Sequence, residues 1–128
     1  MNAANLIFRN CHAENIEFKL NVTQDNQYNN EKNKEIKDNL KIEIGIGQDK
    51  KQFAVKMTYK EQNIYNCYDL KVIFVGHFAI KDDAEESIDD FSPNAVAILF
   101  PYFRSAITAF TTAAGVKPLV IPIINFAE

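Results

Sequence analysis

The stretch Ala97–Phe126, AILFPYFRSAITAFTTAAGVKPLVIPIINF, decides how this chain is read. Its first half has helical spacing. Leu99, Phe103, Ala106, Ile107, Phe110 and Ala114 fall on one stripe, and Val96, Phe100 and Tyr102 widen that stripe beyond what a sheet alone would cover. Arg104, Ser105, Thr108, Thr111 and Thr112 leave only a mildly polar back. Pro101 removes one backbone hydrogen bond inside the helix and is expected to kink it. Gly115 supplies the C-terminal stop. The second half, from Val116, is apolar and interrupted by Pro118 and Pro122, which forbid a central strand. It reads as an extended loop packed across the surface. Burial of Leu119, Ile121, Ile123 and Phe126 would contribute roughly 1.5–3 kcal/mol each. Helix and tail together ask for more cover than one small core provides, so a partner surface is expected.

Upstream of the helix, Ser92 is the expected N-cap, with Pro93 at the first helical position. Asp89 and Asp90 suit the positive end of the helix dipole. Residues 81–91, KDDAEESIDDF, form an acidic link. Before it, four strands are expected from two-residue periodicity. Ile16, Phe18, Leu20 and Val22 share one face of the first, which reaches back toward Leu6-Ile7-Phe8. Leu40, Ile42, Ile44 and Ile46 mark the second, and Phe53, Val55, Met57 and Tyr59 the third. The short polar segments Gly47–Lys51 and Glu61–Asn63 predict hairpin turns. The fourth strand, Ile64 to Ile80, is apolar on both faces between Val72 and Ile80, which predicts cover on both sides. One helix serves one face, and a second subunit is expected on the other. Residues 24–39, QDNQYNNEKNKEIKDN, have no periodicity and read as a long crossover.

Composition narrows the classes. The 128 residues suit a single domain spanning 1–128, and 47% of them are hydrophobic. The net charge of −3 argues against a nucleic-acid binder, which needs clustered Lys and Arg. No apolar run predicts membrane insertion, and the first residues carry no signal-peptide pattern, which points to a cytoplasmic protein. Cys11 and Cys67 fit that compartment as reduced thiols. Cys11, His12, Cys67 and His77 lack close paired ligand spacing, so no metal is expected. No phosphate loop, nucleophile elbow or paired-carboxylate site is present, and Asp82-Asp83 and Glu85-Glu86 read as a solvated acidic turn. No enzymatic activity and no cofactor are expected.

The run Ile98-Leu-Phe-Pro-Tyr102, then Arg104, Ile107 and Thr108, then Gly115, Pro118, Leu119, Pro122 and Asn125-Phe126, resembles the SecB family of protein-export chaperones. Gly76–Ile80 is similar to a Gly-x-Phe stretch of that family. The resemblance implies an α+β fold, a four-stranded antiparallel sheet with one long helix packed on it, followed by an extended proline-containing loop. It implies a homotetramer, a dimer of dimers, acting as an ATP-independent holdase for unfolded or nascent chains, including preproteins.

Phe78, Phe100, Phe103, Ile107, Phe110, Val116, Leu119, Ile121 and Ile123 are then the expected client groove. Val72, Phe74, Val75, Leu99, Tyr102 and Ala106 are the expected oligomer interface. Phe103→Asp or Ile107→Asp is expected to break assembly or client binding. The family docks the motor ATPase SecA through acidic residues of the exposed sheet face. Asn15, Lys19 and Lys71 stand at the matching places here, which weakens the expectation of SecA docking. The sequence also stops at Glu128, before the family's usual second helix and SecA-binding tail, which would leave the groove more open. Both departures fit a dedicated chaperone or adaptor for a single partner, such as the antitoxin of a toxin–antitoxin module.

Overall fold

The described residues form four strands and one long helix. The computed structural model describes residues 2–21 and 38–124. Apart from Asp38 and Asn39, the expected crossover over 24–39 lies outside the described residues, as do Val22, Asn125 and Phe126. After a turn of 3-10 helix, Ala3–Asn5, come β1 (Leu6–Leu20), β2 (Leu40–Ile46), β3 (Gln52–Ile64), β4 (Tyr68–Ile80) and α1 (Ile88–Ala113). The strands form one antiparallel sheet in the order β1-β4-β3-β2.

The first strand is one long element, as expected, because two bulges rescue its register. Extra residues between Phe8 and Asn10 and between Ala13 and Asn15 shift the pairing. They keep Leu6, Phe8, Cys11, Ile16 and Phe18 opposite the helix-facing row of β4: Ile80, Phe78, Gly76, Val72 and Leu70. The helix lies on that face. Tyr59, Phe74 and Phe100 surround Phe103 at ring separations of 5.8–6.3 Å. Phe18 of β1 meets Phe110 edge-on at 5.9 Å.

Two boundaries differ from the sequence expectation. The helix starts at Ile88, capped by Ser87, not Ser92. The Ser87 hydroxyl accepts from the Asp90 N–H, and the Asp90 carboxylate accepts from the Ser87 N–H at 2.8 Å, a capping box. Burial of Ile88 and Phe91 makes the extra turn worthwhile. Pro93 therefore lies inside the helix. The Ser92 hydroxyl donates to the Ile88 carbonyl at 2.9 Å and reaches that of Asp89, which Pro93 cannot serve. The helix continues through Pro101.

The second difference is the β3–β4 turn. Glu61–Asn63 continues β3 with an irregularity, and the chain reverses over Tyr65–Cys67. Asn63, Tyr65 and Asn66 have φ of 54°, 52° and 57°. Asparagine tolerates this left-handed region and tyrosine does not. The Lys117 ammonium, 4.5 Å above the Tyr65 ring, helps hold it there.

The Asp69 carboxylate ties this turn. It accepts from the Asn63 N–H and from Asn21 Nδ2, both at 2.8 Å. The Asn63 bond chiefly, then the Asn21 bond, holds its carboxyl below the usual aspartate range. A lowered folded pKa means that the stabilisation is present above the unfolded value and is lost as pH falls through the folded one. Acidification below about pH 4 is therefore expected to loosen the turn, read as faster exchange of the Asn63 amide. In Asp69→Asn this acid dependence should be absent.

Candidate polypeptide-binding surface

The tail explains the polar side of the helix. Gly115, at φ 82°, stops α1, and its N–H bonds to the Thr112 carbonyl. Through Ile124 the chain then turns back along α1 without joining the sheet. Tyr68 Oη donates to the Lys117 carbonyl at 2.9 Å, and Thr108 Oγ1 to that of Leu119 at 2.9 Å. Arg104 Nε donates to the Ile121 carbonyl at 2.7 Å. The Leu119 N–H donates to Thr111 Oγ1 at 3.0 Å, and that hydroxyl donates to the Ile107 carbonyl. Arg104, Thr108 and Thr111, which read as a mildly polar back, form a clasp for the tail. No periodicity announces that role, because a helix face contacting backbone needs polar groups rather than apolar ones.

At 3.6 residues per turn, Thr111 and Arg104 lie on the flank roughly opposite Tyr102. Tyr102 meets Phe8 of β1 at 5.3 Å, so the tail runs along the other flank, toward β3 and β2. Leu119 and Ile121 are fully buried there, while Val120 is 61% and Ile123 81% exposed. Pro101, Arg104, Ser105, Thr108, Ala109 and Ile121 line an open depression of about 440 Å³ between helix and tail.

The residues expected to form the client groove separate. Phe78, Phe100, Phe103, Ile107, Leu119 and Ile121 are buried within the one chain. Phe110 and Val116 are half-buried against its core, and Ile123 is exposed. Of the expected interface residues, Val72, Phe74 and Leu99 belong to the chain's own core, because β4 turns Val72 and Phe74 toward the helix and Leu99 lies on the buried stripe of α1. Val75 is also buried, on the opposite face, where it pairs with His12 and Lys56. Val75 and Ala79 are thus covered without a second subunit. Ala106 is half-buried, and Tyr102 is 50% exposed. Phe103→Asp and Ile107→Asp would therefore strike the folding of the subunit first.

Apolar surface remains elsewhere. Ile98 and Tyr102 on the helix back, Ile44 and Ile46 on β2, and Val120 and Ile123 on the tail are exposed. Between Pro93 and Val116 the only charged side chain is Arg104. By length and hydropathy α1 would suffice to cross a membrane, but its main stripe is packed on the sheet.

The sheet face away from the helix has another character. Register places Lys19, Lys41, Lys56, Lys60 and Lys71 on it, with Glu17, Glu43 and Asp69. The Lys71 ammonium lies 3.5 Å from Glu17. Lys60 and Lys71 face each other across β3 and β4. His12 and His77 stack at 5.3 Å on the same face. Burial raises the Cys11 thiol, which lowers its reactivity at neutral pH. Burial chiefly, then its hydrogen bond to Glu61, raises the Tyr59 hydroxyl far above the usual tyrosine value.

Sheet, helix and clasped tail define an α+β fold, one four-stranded antiparallel sheet covered on one face by one long helix. Residues 1–128 match the family model described as preprotein translocase subunit SecB, and the chain belongs to the SecB family. An uncharacterized protein of Methanocaldococcus jannaschii is 34% identical over 116 residues, covering 89% of this chain and 66% of that protein. The chain thus spans just under two thirds of that relative's length. The fold is similar to that of the Mycobacterium tuberculosis SecB-like chaperone Rv1957, solved in complex with a ChAD peptide from the HigA1 antitoxin. The TM-score is 0.68 at 14% identity, over 95% of this chain and 89% of that one. It is also similar to a protein of unknown function from Streptococcus agalactiae, with TM-score 0.59 at 11% identity, over 93% and 97% of the two chains.

Proposed function

We propose that this protein is an ATP-independent holdase chaperone that binds unfolded or nascent polypeptides. The observation that carries this reading is the helix back, whose only charged side chain is Arg104, with the apolar tail beside it. Ile98 and Tyr102 are exposed on the helix and Val120 and Ile123 on the tail, and an open depression lies between helix and tail, in a chain of the SecB family. Apolar area of this kind is sequence-tolerant, since burial is non-directional and scales with area. Each contact is weak, and several such surfaces on a dimer of dimers would hold one client through effective concentration.

The holdase reading is tested by mixing stoichiometric protein, without ATP, with a chemically denatured model client. Suppression of light scattering is expected. Unhindered aggregation in the presence of folded protein would refute it. Tyr102→Asp and Ile98→Asp change exposed positions. They are expected to leave thermal stability within about 1 kcal/mol and to weaken client binding several-fold. Unaltered client affinity in both would move the site elsewhere.

One observation favours a second reading. The similar Mycobacterium tuberculosis chaperone is held with an antitoxin peptide. A dedicated partner of that sort would bind tightly while generic unfolded chains would not, so a binding panel separates the two. Export through SecA is the weaker reading, since the lysines of the open sheet face offer little to a basic docking partner.

A further inference from the structure

We propose that the trough holding residues 117–121 is itself a peptide site, occupied here by the chain's own tail, and that an extended segment of a client displaces that tail. The inference rests on the polypeptide-binding reading above and specifies how the site recognises its ligand.

The tail is held as a bound peptide is held. The carbonyls of Lys117, Leu119 and Ile121 accept from Tyr68, Thr108 and Arg104, and the Leu119 N–H donates to Thr111. The three carbonyls belong to alternate residues, the repeat of an extended chain. Every one of these bonds reads main chain, so none requires a particular side chain in the occupant. Apart from the Lys117 ammonium over the Tyr65 ring, the buried side chains are Leu119 and Ile121, two residues apart, while Val120 between them points to solvent. The recognised pattern is therefore an extended segment with aliphatic residues at alternate positions and a free choice between them. Many unfolded sequences contain it, and strand-like recognition by backbone bonds with alternate pockets is a general peptide-binding mode.

The tail also lacks what would make it irreplaceable. Its described residues form no ladder with the sheet. Pro118 and Pro122 deny it two N–H donors. Displacement would thus exchange one set of side-chain-to-carbonyl bonds for an equivalent set, with two aliphatic side chains replaced by two others. Tyr68, Arg104, Thr108 and Thr111 would hold the occupant's main chain, and the pockets filled here by Leu119 and Ile121 would set its preference. The tail becomes an internal competitor that excludes short or weakly apolar segments.

Hydrogen exchange on the full chain tests this, with and without a saturating reduced, permanently unfolded model polypeptide whose binding is measured separately by anisotropy. With the polypeptide bound, the Leu119 amide should exchange faster, on the order of tenfold, while the Val72 amide of β4 keeps its protection. A bound polypeptide with Leu119 still protected overturns the displacement and leaves the chaperone reading standing. Absence of binding overturns both. In a second arm, Ile121→Ala, confirmed folded by circular dichroism, should bind the polypeptide several-fold more tightly because its competitor is weakened. Equal or weaker binding by that variant overturns the inference.

Discussion

Phe103→Ala is expected to destabilise the subunit by about 3–5 kcal/mol, enough to leave many domains of this size largely unfolded. Phe103 is fully buried where the helix crosses the sheet. Its ring sits 6.3 Å from those of Tyr59 on β3 and Phe74 on β4 and 5.8 Å from that of Phe100. Truncation removes the contact that joins three elements and leaves a cavity walled by rings that cannot collapse into it. The neighbouring residue is the control: Tyr102 is half exposed, and its loss should cost far less. Urea denaturation of the two variants checks the contrast. Similar stabilities would mean that the helix is not seated as described.

Gly76→Val is expected to cost about 1–3 kcal/mol or more through overpacking. A Cβ at Gly76 would stand 2.6 Å from Leu99 Cδ1, with Leu99 Cδ2 and Phe78 Cε2 each at 3.1 Å. Leu99 is fully buried and has no room to retreat. Gly76 is thus the notch in β4 that lets α1 approach the sheet. Leu99→Ala empties the space that the valine methyls need, so the double variant should be more stable than the sum of the two losses predicts. A denaturation cycle measures that coupling, and strict additivity would show that Leu99 does not occupy the notch.

Much of this architecture could be read before the structure. Alternation in Leu40–Ile46 and Phe53–Tyr59 marks β2 and β3: β3 shows one full face to the core, whereas in β2 Leu40 and Ile42 pack against it and Ile44 and Ile46 stay exposed. β4 reads as buried on both sides, and it is central in the sheet. The ILFPY run and its prolines carried the family.

Other features were hidden by competing local signals. Ser92-Pro93 imitates a helix start, and only the burial of Ile88 and Phe91 reveals that Ser87 is the cap. The chain reverses over Tyr65–Cys67, four residues later than the polar run Glu61–Asn63, with Asn63, Tyr65 and Asn66 in left-handed backbone.

The site was the least legible part. Periodicity shows that Phe103, Ile107, Leu119 and Ile121 are covered, but not by what. The structure covers them with the chain's own sheet and tail. The clasp of Arg104, Thr108 and Thr111 was invisible because each bonds to a carbonyl or N–H, and backbone has no sequence signature.

The most direct test of the central claim is calorimetric titration of the protein with a reduced, permanently unfolded polypeptide at several temperatures and salt concentrations, without nucleotide. Burial of client side chains on the charge-poor, largely apolar helix-and-tail surface predicts binding with a negative heat-capacity change and little salt dependence. No binding by the folded protein, or binding abolished by moderate salt with no heat-capacity change, would contradict it.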